Sequence, residues 1–171
     1  MSTHRIPIFG FPTIPDNTGR AYFEPYDIRA TNDVFKHMVL ILNDPTGAQI
    51  HGVYGKFRIP VNYVGTPKLV IVWTSTAITN TCLFAFAYRA IGGNDAESLD
   101  QASYQETITI ADVAPTAIHR KLEVSGALTG GNLVADDEVE YYFYRDGITG
   151  GTDDMAAEAI VHGAYFEYAD I

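Results

Sequence analysis

EVEYYFYR, residues 138–145, alternates along its whole length. Val139, Tyr141 and Phe143 fall on one face, and Glu140, Tyr142 and Tyr144 on the other. A period of two marks an extended strand with one face in a core, because successive side chains project to opposite sides. The same texture extends outward from it. Val53–Ile59 (VYGKFRI) sets Val53, Gly55, Phe57 and Ile59 against Tyr54, Lys56 and Arg58. Further strands are expected at Asp33–Leu42, Leu69–Thr74, Cys82–Ala90, Gln105–Ile110, Ile118–Val124 and Val161–Tyr168. Turn-forming clusters punctuate them: Asn43-Asp44-Pro45-Thr46-Gly47, Gly65-Thr66-Pro67 and Gly92-Gly93-Asn94-Asp95.

Helix is scarce. Asp153–Ile160 (DDMAAEAI) is expected to form a short helix capped by Thr152 or Asp153, and Glu97–Tyr104 is a weaker candidate. Neither is long enough to cover a sheet, so the sheets must cover each other. The expected fold is all-β, a jelly-roll-like sandwich of about eight antiparallel strands with an extended N-terminal arm. The arm is residues 1–20, broken by Pro7, Pro12 and Pro15, and residues 21–171 form a single β-sandwich domain. The arm carries Ile6, Ile8, Phe9, Phe11 and Ile14, too many large apolar side chains for a free linker. It packs either along its own domain or on a neighbouring subunit.

The 171 residues hold 21 Asp and Glu against 11 Lys and Arg, a net charge of −10. That argues against nucleic-acid binding, which needs a basic surface. No apolar run approaches the roughly 20 residues of a membrane-spanning helix, so no membrane partner is expected. The N-terminus shows no apolar stretch of secretory type, and a reducing cytoplasm is the expected place of assembly. The single cysteine, Cys82, excludes an internal disulfide and reads as a buried, inert thiol.

No catalytic, cofactor-binding or metal-binding residue is assigned. Two residues after His4, His37, His51, His119 and His162 stand Ile6, Val39, Val53, Lys121 and Ala164, so no His-x-His or His-x-Asp/Glu pair places metal ligands on one strand face. Asp136-Asp137-Glu138 and Asp153-Asp154 lack the spacing of a calcium loop and read as loop charge. Glu106, Glu123, Glu140 and Glu167 each read as an outward strand residue rather than half of a glycosidase pair. No nucleophile elbow is present, so an enzyme is not expected. Two features point to an interface instead. Alternation pushes Tyr142 and Tyr144 out of the core, where exposed rings stack on sugars or anchor a protein contact. If Cys82, Phe84, Phe86 and Tyr88 point inward, Leu83, Ala85 and Ala87 form a small apolar outward face that asks for cover, from a neighbour or from the same chain.

The proline-broken arm RIPIFGFPTIP (5–15), the segment AYFEPYDIRATNDVFKHMVLIL (21–42), the order of the strands and the terminal VHGAYFEYAD (161–170) together resemble the jelly-roll head decoration, or cement, proteins of tailed bacteriophages. The resemblance implies a non-enzymatic homotrimer on the outside of the virion, bridging subunits of the major capsid protein. Its interface residues would come from Ile6, Ile8, Phe9, Phe11, Ile14, Leu83, Ala85, Ala87, Tyr142 and Tyr144. The alternative expectation is a carbohydrate-binding or receptor-binding β-sandwich module of a phage tail or adhesin.

Overall fold

A computed structural model describes residues 1–9, 13–26, 36–45, 49–93, 98–149 and 152–170. The strands are β1 (Thr3–Pro7), β2 (Ile14–Pro15), β3 (Ala21–Pro25), β4 (Met38–Leu42), β5 (Ile50–Arg58), β6 (Tyr63–Ser75), β7 (Thr81–Ile91), β8 (Glu106–Val113), β9 (Leu122–Ala127), β10 (Glu138–Asp146) and β11 (Ala159–Asp170). They form two antiparallel sheets. One has the order β3-β4-β11-β6-β9, with β1 also on β11, and the other the order β2-β5-β10-β7-β8. The sheets pack face to face as a sandwich, as the alternating pattern requires. All eight strands expected from the sequence correspond to strands here; Phe11 and residues 33–35 of the first lie outside the described residues.

The core lies between the sheets. Leu42, Ile71, Trp73 and Phe166 from one meet Val53, Phe84, Phe86, Tyr88 and Phe143 from the other, each almost fully buried. Trp73 meets Phe84 edge-on at 5.1 Å, and its indole N–H donates to Asp112 Oδ2 at 2.8 Å. That bond satisfies a donor that burial would otherwise leave unpaired.

Of the first twenty residues, those described run along their own chain and pair with it. β1 pairs with β11 from Thr3↔Ala169 to Pro7↔Tyr165, and Ile8 N donates to Ala164 O at 2.9 Å. Ile8 is buried, and Tyr141 Oη donates to its carbonyl at 2.8 Å. Phe9 sits against Phe143 at 5.5 Å and Phe23 at 6.3 Å. β2 then joins the opposite sheet through Ile14↔Tyr54. The segment thus contributes a strand to each sheet. Burial of a side chain such as Ile8 stabilises by about 1.5–3 kcal/mol.

Three expectations are corrected. Residues 153–158 are not helical. Asp153 binds the Arg145 guanidinium with both oxygens at 2.7 Å, and the Met155 and Ala157 carbonyls accept from the same guanidinium. Asp154 N and Met155 N both turn to Thr81 O at 3.1 Å. Backbone groups that a helix would use are spent on tertiary bonds, and two turns of helix are marginal in any case. Ser98–Tyr104 is likewise irregular, while residues 94–97 of that helix candidate lie outside the described residues. The strand expected at Ile118–Val124 begins only at Leu122. His119 has φ +65, a left-handed conformation outside the extended region of a regular strand.

Candidate functional site

The outer face of the five-stranded sheet is built in rows. Register places Ile14, Tyr54, Tyr142, Ala87 and Thr107 side by side across β2, β5, β10, β7 and β8. The next rows along the strands are Lys56–Glu140–Arg89 and Arg58–Glu138–Ile91. On the other side of the aromatic row lie Gly52, Tyr144 and Ala85.

Three tyrosines form a pile on this surface. Tyr54 and Tyr142 stack at 4.3 Å with 16° between planes, and Tyr142 and Tyr144 at 4.7 Å with 21°. Tyr142 is in the middle, so both its faces are covered. Its hydroxyl donates to Asp16 Oδ2 at 2.9 Å. Burial and the Asp16 carboxylate push the Tyr142 phenol far up, so it stays a donor. Burial opposes ionisation of Asp16, but bonds from Thr18, the Gly52 N–H and Tyr142 outweigh it and hold the carboxyl below its ordinary range. Gly52 makes the pile possible: a Cβ there would lie 2.4 Å from Phe143 O and 2.5 Å from Tyr144 Cβ.

Beside the pile runs a groove of about 560 Å³ lined by Ile14, Tyr54, Lys56, Arg89, Glu140 and the wall segment from Leu99 to Tyr104. Arg89 fixes that wall by donating to Leu99 O at 2.8 Å, and its Nε donates to Glu140 Oε2 at 2.7 Å. Four large apolar or aromatic side chains left open to solvent meet here: Leu99 is 71% exposed, Ile14 60%, Tyr104 48% and Tyr54 46%. Scattered singly they would be ordinary, but gathered along one concavity with a few polar groups they have the make-up of a ligand site. A second bay of about 460 Å³ continues from it, lined by Arg58, Ile91, Gly92, Gly93, Leu99, Asp136, Glu138 and Glu140.

The residues singled out from sequence fall into three groups. Ile6 and Phe9 are half-buried against the core and Ile8 is within it, while Phe11 lies outside the described residues. Leu83, Ala85 and Ala87 do point outward, but at 4%, 0% and 1% exposure they are not a free face. Their cross-strand neighbours Tyr142 and Tyr144 stand over the alanines, and Leu83 N donates to Asp153 Oδ2 of the 152–158 segment at 3.0 Å. The same chain supplies the cover. Ile14, Tyr142 and Tyr144 do come together on one surface, with Tyr142 and Tyr144 as its backing. Tyr54, Tyr104, Leu99, Arg89 and Glu140 were missed as a site. Tyr54 was legible as an outward residue, but the wall could not be foreseen from a loop without periodicity.

The remaining candidates for chemistry have partners. Asp153 holds Arg145, Asp136 pairs with Arg58 at 2.9 Å, and Glu123 and Glu167 both bind Arg5. Glu106 accepts from Tyr88 and from Thr129 Oγ1 at 2.7 Å. Burial opposes its charge, yet these bonds keep its carboxyl below the usual value. Glu138 and Glu140 sit side by side along one strand, each holding a cation, rather than facing each other across a cleft. Tyr26, His37, His119 and His162 cluster on the other sheet: His37 Nε2 and His162 Nδ1 lie 2.8 Å apart, as do Tyr26 Oη and His119 Nδ1. Among the described residues no group of three or more His, Cys, Asp or Glu is placed to hold a metal ion. Cys82 is fully buried, and burial pushes its thiol well up.

Fold and site together define a two-sheet β-sandwich with an aromatic-lined groove on one outer face. No protein-family model matches the chain, and no curated protein matches it significantly in sequence. Its fold is similar to a family 35 carbohydrate-binding module of Cellvibrio japonicus Abf62, with TM-score 0.55, 8% identity and 99% of each chain covered. It is also similar to the arabinose-bound α-L-arabinofuranosidase MgGH51, with TM-score 0.52 and 10% identity over 95% of this chain and 24% of that one. A family 35 carbohydrate-binding module of Clostridium thermocellum superposes with TM-score 0.48 and 12% identity over the whole of both chains. At such identities the first two likenesses show the fold alone, and the third carries no argument. None of the three is a phage head decoration protein.

Proposed function

We propose that this chain is a non-catalytic carbohydrate-binding β-sandwich module whose ligand lies in the groove on the outer face of the five-stranded sheet. The observation that carries the reading is the convergence of Tyr54 and Tyr104 with the Arg89–Glu140 pair along one open concavity. A sugar ring has an apolar face of C–H groups and a rim of hydroxyls. The exposed part of the Tyr54 ring suits the first, and the carboxylate and guanidinium suit the second. Tyr142 and Tyr144 hold Tyr54 rigidly, which lowers the entropy lost on binding. The sandwich it shares with the Cellvibrio japonicus module is compatible with this use.

The capsid-bound homotrimer has less support. It drew on the arm and on Leu83, Ala85 and Ala87 as outward surface; β1 and Ile8 of the arm pair or pack on the same chain, and the three strand residues are buried. A broad glycan array followed by calorimetry tests the proposal. The expected result is specific, competable binding, weakened about tenfold (~1.4 kcal/mol) by Tyr54→Ala in a variant that remains folded at the assay temperature. An array that is blank for the intact protein overturns it.

A further inference from the structure

The carbohydrate reading does not by itself say what kind of glycan is bound, a terminal sugar or a stretch of chain, charged or neutral. The floor of the groove answers both points. The two bays share Leu99 and Glu140 in their linings, so they are one depression and not two. It follows β5 from Tyr54 to Arg58, with Glu140 and Glu138 beside them on β10. Four residues of strand advance about 13 Å at roughly 3.3 Å each, a floor too long for one sugar ring.

Its charges cancel. The cations lining the two bays are Lys56, Arg58 and Arg89, and the anions are Asp136, Glu138 and Glu140. They are matched in pairs: Lys56 with Glu138 at 3.0 Å, Arg58 with Asp136 at 2.9 Å, Arg89 with Glu140 at 2.6 Å. A site for a polyanion would leave cations unmatched, and the chain as a whole carries −10. Paired groups on a solvent-facing floor instead offer an alternation of donors and acceptors along its length, which suits a row of hydroxyls.

We infer that the two bays form one continuous groove that takes an interior stretch of an uncharged, linear polysaccharide, its aromatic end gripping a ring and its ion-paired end reading hydroxyls of the following units. The inference rests on the carbohydrate reading and adds length and charge to it. Gly93 gives a clean way to test the second bay, since a Cβ there meets nothing within 4 Å, so Gly93→Phe obstructs that bay without strain in the fold.

Calorimetry on the full chain would use cello-, xylo-, manno- and galacto-oligosaccharides from one to six units, with oligogalacturonate as the charged probe. The expected result is affinity rising at least about tenfold from the shortest bound member to the longest of one neutral series. Gly93→Phe should return the long members to the affinity of the short ones and leave the short ones unchanged. Affinity should also hold between low and high salt, as charge-balanced contacts require. A flat length series, an indifferent Gly93→Phe variant, or preferred and salt-sensitive binding of oligogalacturonate overturns the inference while leaving the carbohydrate reading in place. Absence of binding by every neutral member overturns the inference, and the carbohydrate reading falls with it only if the broad array is also blank.

Discussion

Asp153→Ala is the substitution to which the sandwich is expected to respond most sharply. Arg145 and Asp153 are 0% and 1% exposed and meet through two bonds of 2.7 Å. Arg145 also donates to the carbonyls of Asn43, Met155 and Ala157. Removing the carboxylate leaves a buried guanidinium without its bidentate partner, a loss of about 3–5 kcal/mol. It also strips the acceptor from Leu83 N. For a chain of this length each kcal/mol lowers Tm by about 2–4 °C, so the expected fall is roughly 6–20 °C. Urea unfolding followed by the fluorescence of Trp73, the only tryptophan, measures it directly. Arg58→Ala is the internal control. Its partner Asp136 sits in an exposed pair, 69% and 55% open, where the expected cost is at most about 1 kcal/mol. In the Arg145→Met, Asp153→Leu double variant no charge is stranded, but three carbonyls lose a donor, so its stability should lie between the wild type and Asp153→Ala. If Asp153→Ala costs no more than Arg58→Ala, the account of why residues 153–158 refuse a helix is wrong.

Two further outcomes are expected. Burial, then Lys121 and His37, push His162 down from 6.5 to about 4, so the folded state holds that proton less tightly than the unfolded chain. Stability is therefore full above pH 6.5 and declines as pH falls toward 4, by about 1–2 kcal/mol once solvent screening of a half-buried ring is allowed for. His162→Gln should flatten that limb of a urea-midpoint against pH profile, and an unaltered limb would refute the assignment. Gly52→Ala puts a methyl group against Phe143 O and Tyr144 Cβ, which should cost about 1–3 kcal/mol and weaken the near-ultraviolet dichroism of the tyrosine pile; a variant with wild-type stability and spectrum would refute the close approach.

The parts of this molecule that were legible in the sequence are those where one residue constrains the next. Val139, Tyr141 and Phe143 face the core because a strand leaves them no alternative, and Tyr142 and Tyr144 face out for the same reason. What alternation gives is a direction, not an environment. It places Ala85 and Ala87 outward correctly but cannot say that tyrosines from the neighbouring strand stand over them. The helix expected at 153–160 failed on the same ground. DDMAAEAI is locally helical, but Arg145 competes for its carboxylate and carbonyls from eight residues away in sequence and from another strand. The groove was beyond reach for a further reason. One wall, Leu99 to Tyr104, has no period to read, and Arg89 holds it from another strand through the Leu99 carbonyl.

The two outer faces of the sandwich show why the groove, and not simply surface, is the place to look for function. The six-stranded sheet meets water in an ordinary way near β1. Arg5 bridges Glu123 and Glu167, Lys68 lies 3.7 Å from Glu167, and the apolar residues Val39, Ile41 and Ile160 are buried beneath Tyr22 and Tyr26. The five-stranded sheet spends equal structural effort on an opposite result. Asp16, Gly52, Tyr142 and Tyr144 are committed to holding Tyr54 upright, yet Tyr54 itself, with Tyr104, Leu99 and Ile14, is left open. Stability alone would favour burying those rings or replacing them with polar residues, since open apolar area contributes nothing to the core. A rigid support under an unburied ring gains free energy only when something covers that ring. On the proposed reading, an occupant apolar on one side and hydroxyl-rich at its rim would match this floor, because the guanidinium and carboxylate of Arg89 and Glu140 border it beside Tyr54.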